Sequence, residues 1–132
     1  MDGYKVTIEY ASRELSKMEK IAYKDTTDCV SLVDACEEDT LHIVVTDWVF
    51  LHIVNPHSKK QHEYDKFVLL AEDGIHYITG SSAFMDTFMD IWTEYQDGPE
   101  ESLPVPLAVY VKPSKNNPQG FLTCKLDIDN PF

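Results

Sequence analysis

Aromatic and lysine side chains are interleaved along several strand-like stretches of this 132-residue chain. Aromatic rings can stack on nucleic-acid bases, and lysine ammonium groups can pair with the phosphates between those bases. The candidates for this chemistry are Trp48, Phe50, Lys59, Lys60, Tyr64, Lys66, Tyr77, Tyr110, Lys112, Ser114, Lys115, Asn116 and Lys125. Because a barrel strand buries alternate side chains, we predict that two or three of the rings are exposed.

The net charge of -12 argues against nucleic-acid binding, but the distribution of charge along the chain weakens that argument. A negative protein is a poor ligand for phosphates, but all eleven basic residues lie in residues 5–24, 59–66 and 112–125. Fifteen of the 23 acids lie in 25–47 and 72–101, which contain no base. This segregation favours one acidic face and one neutral-to-basic face. The alternative is an acidic surface that only keeps the protein in solution.

Signatures of catalysis are missing from the sequence. There is no G-x-S-x-G elbow, no P-loop and no G-x-G-x-x-G fingerprint. His52, His57 and His62 recur every five residues, on neither a helix face nor a strand face, and are interpreted as loop histidines. We predict a protein that is not an enzyme and that has no metal or cofactor. An enzyme or ligand-binding domain with a site invisible in sequence is the alternative.

The cysteine content and the hydropathy pattern indicate the compartment. The three cysteines, Cys29, Cys36 and Cys124, are an odd number without metal-type spacing and are interpreted as reduced thiols, Cys124 in a buried strand. No apolar run approaches the roughly 18 residues of a membrane span, and the first residues do not resemble a signal peptide. We expect a cytoplasmic protein that makes no membrane contact.

The elements that must position the candidate residues are mostly strands. Alternating or β-branched stretches predict strands at residues 4–10 and 41–55, with Thr46-Asp47 as a turn within the second. Residues 64–80 read as a hairpin around Asp73-Gly74. Two short helical turns are predicted near "SRELSKMEK" and "SLVDACEE", with "KIAYKD" as a possible strand between them. Two final strands flank the loop from Pro113 to Gly120.

The strongest helix signal, at about 81–96, decides the fold class. Its apolar stripe is Phe84, Phe88, Ile91, Trp92 and Tyr95, and Ser81 or Ser82 can cap its start. We predict a mainly β protein: a small antiparallel OB-like barrel with this one amphipathic helix before the last two strands. Residues 1–126 form a single domain, and residues 127–132 are an acidic C-terminal tip. A ferredoxin-like sandwich would need a second strong helix.

Two segments resemble a known family. The residues that carry the resemblance are Thr79-Gly80-Ser81, Phe84, Phe88, Ser114-Lys115-Asn116, Gly120, Phe121 and Thr123-Cys124. Over roughly Asp73 to Leu126 they resemble small single-stranded-DNA-binding proteins of Firmicute bacteriophages and mobile elements. The resemblance implies an OB-type barrel that binds single-stranded DNA without sequence preference, in replication or recombination of such an element.

The final residues, "DIDNPF", are similar to the C-terminal peptide of bacterial single-stranded-DNA-binding proteins. The likeness rests on Asp127, Asp129, Pro131 and Phe132. It implies recruitment of replication or repair proteins, because a terminal aromatic ring and carboxylate can enter a pocket with a basic rim. Alternatively, Phe132 packs against the protein itself.

The expected function is therefore binding of single-stranded DNA by base stacking and lysine–phosphate contacts. The alternative is an acidic interaction module or DNA mimic that inhibits or recruits a host DNA-processing enzyme. The sequence leaves the oligomeric state open, and a homo-oligomer is compatible with it.

Overall fold

The computed structural model describes residues 5–55, 63–96, 104–113 and 120–127. Strands dominate these residues, as predicted. The strands are β1 (Lys5–Ala11), β2 (Val30–Ser31), β3 (Leu41–Val54), β4 (Glu63–Ala71), β5 (His76–Thr79), β6 (Val105–Lys112) and β7 (Phe121–Leu126). The helices are α1 (Lys17–Lys24), α2 (Leu32–Ala35) and α3 (Ser82–Tyr95).

All seven strands belong to one sheet that curls into a half-barrel. Strands β3, β4 and β5 form an antiparallel meander, and β6 returns after α3 to pair with the first part of β3. The resulting spatial order β6-β3-β4-β5 is that of a Greek key. Strand β7 extends the sheet beyond β6, β2 pairs in parallel with β5, and β1 pairs with the second part of β3.

Strand β3 continues through the predicted turn at Thr46-Asp47. The turn prediction is wrong: the register with β4 shifts between Val45 and Asp47, which marks a β-bulge. The Thr46 hydroxyl donates a hydrogen bond to the Leu70 carbonyl oxygen at 3.2 Å, so the extra residue stays attached to the neighbouring strand. A bulge bends a strand without ending it, which lets β3 take part in both halves of the curled sheet.

Helix α3 packs against one face of the sheet, called here the inner face. The predicted helix is confirmed, and Ser81 is its N-cap, accepting a hydrogen bond from the Phe84 backbone N–H at 3.2 Å. Phe84, Phe88 and Trp92 of the predicted stripe are buried. They join the larger core cluster with inward side chains of β3, β4, β6 and β7. Burial of this apolar stripe fixes the helix to the sheet.

Helix α1 covers part of the opposite, outer face. Tyr23 is 3% exposed and stacks on His76 of β5, with ring centroids 5.0 Å apart. The possible strand at "KIAYKD" is wrong, because Lys20 to Lys24 belong to α1. A capping box between Ser16 and Glu19 starts this helix at Lys17, three residues before Lys20. The buried ring of Tyr23 holds the helix on the sheet.

We expect the Glu19 carboxylate to make stability pH-dependent. Hydrogen bonds from Arg13, and then from Ser16, hold the pKa of Glu19 at about 2, below its ordinary value of 4.5. A carboxyl group with a lowered folded-state pKa stabilises the protein above the unfolded-state pKa, and this contribution is lost as the pH falls towards 2. Glu19→Gln should therefore be less stable than wild type in urea unfolding at pH 7, with the difference shrinking by pH 2.5. Glu14→Gln, an exposed neighbour, is the control. An equal loss for Glu19→Gln at both pH values would contradict this explanation.

Among the residues described, no helix has the length and hydropathy needed to cross a membrane.

Candidate nucleic-acid interface

The outer side of the β6–β7 hairpin brings together several of the predicted residues. Val109 and Cys124 point into the core, and side chains alternate along a strand, so their neighbours point outward. The cross-strand pairs on that side are Tyr110 with Thr123, and Lys112 with Phe121. The name "hairpin surface" is used below for the outward residues Tyr110, Lys112, Phe121, Thr123 and Lys125.

One ring and one cation of the hairpin surface lie at contact distance. The Lys125 ammonium lies 5.8 Å from the centroid of the Tyr110 ring, within the range of a cation–π interaction. Phe121 is 36% exposed, Lys112 is exposed and Tyr110 is half-buried. The surface therefore offers ring area for a planar partner and two positive charges for an anionic one.

The two strands of the hairpin carry little negative charge of their own. In residues 104–113 and 120–127 the only acid is Asp127. Its carboxylate lies 2.8 Å from Nδ1 of His42, on the neighbouring strand β3. Asp127 was predicted to belong to a partner-binding tip, but the structure attaches it to the sheet, since its backbone N–H also donates to the Pro106 carbonyl oxygen at 2.9 Å.

A second pair of predicted residues lies elsewhere. The Lys66 ammonium is 5.9 Å from the Tyr64 ring centroid, and both residues project from β4 towards the outer face. Tyr64 pairs with Ile53, near the end of β3, whereas the β6–β7 hairpin adjoins Leu41 at its beginning. The two ring–lysine pairs therefore flank opposite ends of β3 and do not form one patch.

Three other predicted rings lie at the inner face. Trp48 and Tyr77 are 7% and 6% exposed and belong to the core cluster, so neither presents a face for stacking. The prediction that Trp48 and Tyr77 stack on bases is therefore wrong, because both side chains point into the core. Phe50 is half-buried, and its ring stacks on Phe67 at 4.5 Å between centroids. Its outer edge meets the exposed ring of Tyr10.

The remaining predictions lie outside the described residues. These are Lys59, Lys60, Ser114, Lys115, Asn116, Asp129, Pro131 and Phe132. Lys59 and Lys60 belong to the connection between β3 and β4, and Ser114 to Asn116 to that between β6 and β7.

The structure also contains a polar cluster that sequence reasoning missed. His52 falls within the predicted strand at 41–55, and the structure places it in β3, so only its grouping with the loop histidines is wrong. Hydrogen bonds to Asp65 and then to Glu63 raise its pKa above the ordinary value. Glu9 of β1 is on its other side, 3.6 Å away. No local signal could reveal this group, because its members come from three strands whose pairing is not encoded in any one segment.

The cysteines agree with their interpretation as thiols. Cys29, Cys36 and Cys124 are unbridged, and Cys124 is buried in β7 as predicted. Burial raises the pKa of the Cys124 thiol to about 12, so it stays protonated and is a poor nucleophile.

Comparisons of the chain with protein-family models, with curated proteins and with solved structures return no match. The likeness to single-stranded-DNA-binding proteins therefore rests on the quoted residues alone, and the function is argued from the site.

Proposed function

We propose that this protein binds single-stranded DNA without sequence preference, through the hairpin surface, on an OB-type barrel. It acts by stacking and charge rather than by catalysis. Following the resemblance, the process it serves is replication or recombination of a phage or mobile element.

The observation that carries the proposal is the hairpin surface itself. It combines two accessible rings, Tyr110 and Phe121, with two lysines, Lys112 and Lys125. The one acid within the described residues of the hairpin, Asp127, is hydrogen-bonded to His42. Single-strand binding needs this combination, because rings stack on bases of any type and cations follow the backbone. About 1–3 kcal/mol per stacked base is enough for binding with few contacts.

The net charge does not exclude this site. The exposed acids of α3 are Asp86, Asp90 and Glu94, and α3 packs against the inner side of β7. The sheet and the helix layer therefore separate these acids from the hairpin surface. Screening at 0.1 M salt acts over about 10 Å, so the acids of α3 contribute little at the hairpin surface. The nearer negative charges are the exposed Glu37, Glu38 and Asp39, which precede Leu41 beside Val109.

The connectivity supports an OB-type barrel. OB-folds are partly open Greek-key barrels that bind oligonucleotides on their second and third strands and on the loops between strands 1 and 2 and strands 4 and 5. If β3 is the first barrel strand, these loops are residues 55–62 and 113–120, which contain Lys59, Lys60 and Lys115. The second and third strands are then β4 and β5.

One departure from the OB pattern narrows the proposed path of the DNA. Tyr23 of α1 is buried against His76 on the outer side of β5. That part of the expected binding face is therefore closed. The path that stays open to the single-stranded DNA runs over the hairpin surface. The Tyr64–Lys66 pair is a separate contact at the other end of β3.

Binding of fluorescent oligo-dT, followed by anisotropy at several salt concentrations, tests the proposal. The double variant Lys112→Ala/Lys125→Ala should bind more weakly. Its slope of log K against log salt should be shallower by about 1.4, which corresponds to two lost phosphate contacts on a single strand. The matched control is Lys17→Ala/Lys20→Ala, which removes the same charge from exposed positions on α1. Equal weakening by both double variants, or no wild-type binding at tens of micromolar protein in low salt, would refute the site.

The acids of α3 favour a second candidate function, that of an acidic interaction module. Asp86, Asp90 and Glu94 are spaced by four residues and form a ridge of three exposed negative charges on one helix face. Such a ridge suits a basic groove of a DNA-processing enzyme. Failure of wild-type protein to bind oligo-dT, together with charge-dependent binding to such an enzyme, would favour this interaction module.

A further inference from the structure

His52 lies between carboxylates supplied by the strands on either side of it. Its Nδ1 is 2.9 Å from Asp65 Oδ1 on β4 and 3.6 Å from Glu9 Oε1 on β1. Its Nε2 is 3.2 Å from Glu63 Oε1, also on β4. One imidazole therefore meets three carboxylates contributed by two strands that are not themselves neighbours.

In the protonated ring both nitrogens donate hydrogen bonds, Nδ1 to Asp65 and Nε2 to Glu63. An ionised carboxylate only accepts hydrogen bonds, so Nε2 carries the hydrogen that points at Glu63. When Nδ1 gives up its proton, its lone pair faces Glu9 and Asp65, which are both acceptors. A divalent cation can take the place of that proton, which is released to solvent, because the lone pair and the two carboxylates then converge on the ion. A carboxylate on the far nitrogen is the usual support of a metal-bound histidine.

The distances suit a small divalent ion. Tetrahedral zinc has bonds of about 2.0–2.2 Å to nitrogen and oxygen, so neighbouring ligand atoms lie about 3.3–3.6 Å apart. The observed separations from Nδ1, 2.9 and 3.6 Å, are within a few tenths of an ångström of that range. All three ligand atoms lie within 4.8 Å of one another.

We propose that Glu9, His52 and Asp65 bind one zinc ion, with Glu63 orienting the imidazole and water completing the coordination. One nitrogen and two oxygen ligands plus water is typical of an open zinc site, and an imidazole ligand favours zinc over magnesium or calcium. Thr7, Glu9, His52 and Asp65 line an open recess, so the ion has an entry path. This site is independent of the proposed DNA binding.

The ion would act as a clamp between strands. Its ligands come from β1, β3 and β4, and β1 pairs with no strand other than β3 among the described residues. Zinc binds the folded arrangement of the three strands and not the unfolded chain, so it should stabilise the protein. The gain should be largest for β1, which is the strand with the fewest partners.

The experiment is titration of the full chain with zinc chloride at pH 7.5, followed by calorimetry and thermal unfolding. We expect one ion per chain, and a Tm rise of about 3–6 °C when free zinc is tenfold above its Kd. His52→Gln and Glu9→Gln should raise the Kd at least tenfold. His42→Gln is the matched control, because His42 also faces a carboxylate but only one, that of Asp127.

Cobalt substitution keeps the proposal testable if a variant does not fold. Wild-type protein with Co²⁺ should give the visible spectrum of a four- or five-coordinate nitrogen–oxygen site. A thiolate charge-transfer band would place the metal on a cysteine and overturn the assignment. Unchanged zinc affinity in folded His52→Gln, or no zinc binding by wild type at 100 μM, would overturn it equally.

Discussion

Replacing Trp48 by alanine should lower the free energy of unfolding by about 3–5 kcal/mol. The Trp48 ring is 7% exposed and lies within 5.6–6.1 Å of the ring centroids of Phe50, Phe67 and Trp92. Alanine would leave a cavity where sheet and helix α3 meet, and a rigid aromatic cluster cannot collapse to fill it. Since small domains are stable by only about 5–15 kcal/mol, the urea midpoint should fall by roughly 2 M.

The Trp48→Phe variant tests the contribution of aromatic packing at this position separately from that of the indole N–H. The Trp48 indole N–H is buried without a partner among the described residues, so phenylalanine removes an unsatisfied donor while it keeps an aromatic ring. Its loss of stability should be much smaller than that of Trp48→Ala, and its affinity for oligo-dT should equal that of wild type. Weakened DNA binding by a fully folded Trp48→Phe variant would show that Trp48 does stack on DNA bases.

Replacing Tyr110 by alanine should weaken oligo-dT binding about 5- to 150-fold, which corresponds to one lost base stack of about 1–3 kcal/mol. Tyr110 is half-buried on the hairpin surface, and the Lys125 ammonium is 5.8 Å from its ring centroid. The variant therefore removes the ring and also the contact that positions one of the two lysines. Anisotropy at a single low salt concentration, with unfolding curves measured in parallel, gives both affinity and foldedness.

Two substitutions calibrate that result. Tyr110→Phe retains the stacking face and should bind within about twofold of wild type. Tyr10→Ala removes a ring that is 66% exposed but lies beside Phe50, away from the hairpin surface, and should leave affinity unchanged. If Tyr10→Ala and Tyr110→Ala weakened binding equally, the DNA would not be confined to the hairpin surface.

The proposed DNA site and the proposed zinc site respond to different changes. Lys112, Lys125 and Tyr110 lie on β6 and β7, whereas Glu9, His52 and Asp65 lie on β1, β3 and β4. Loss of zinc binding in His52→Gln should therefore leave oligo-dT affinity intact, and loss of DNA binding in Tyr110→Ala should leave zinc affinity intact. Each proposal can fail while the other stands.

Features that depend only on nearby residues can be predicted from the amino-acid sequence. The stripe of Phe84, Phe88 and Trp92 specifies an amphipathic helix, and Ser81 specifies its start, because helix periodicity and capping act within a few residues. The hairpin at Gly74 follows equally from local turn chemistry, since this glycine has φ of +90°. Alternation in the last two strands placed Tyr110 and Lys112 on the side opposite Val109.

Which strand face is buried, and which distant residues meet, depends on how the elements pack together. Trp48 and Tyr110 look alike in sequence, each an aromatic residue in an apolar strand, but α3 covers the side of the sheet to which Trp48 points. A local pattern specifies that two faces differ, while the packing of another element decides which one is closed. Likewise, Glu9, His52 and Asp65 meet because β1 and β4 both pair with β3, a non-local choice that no single segment encodes.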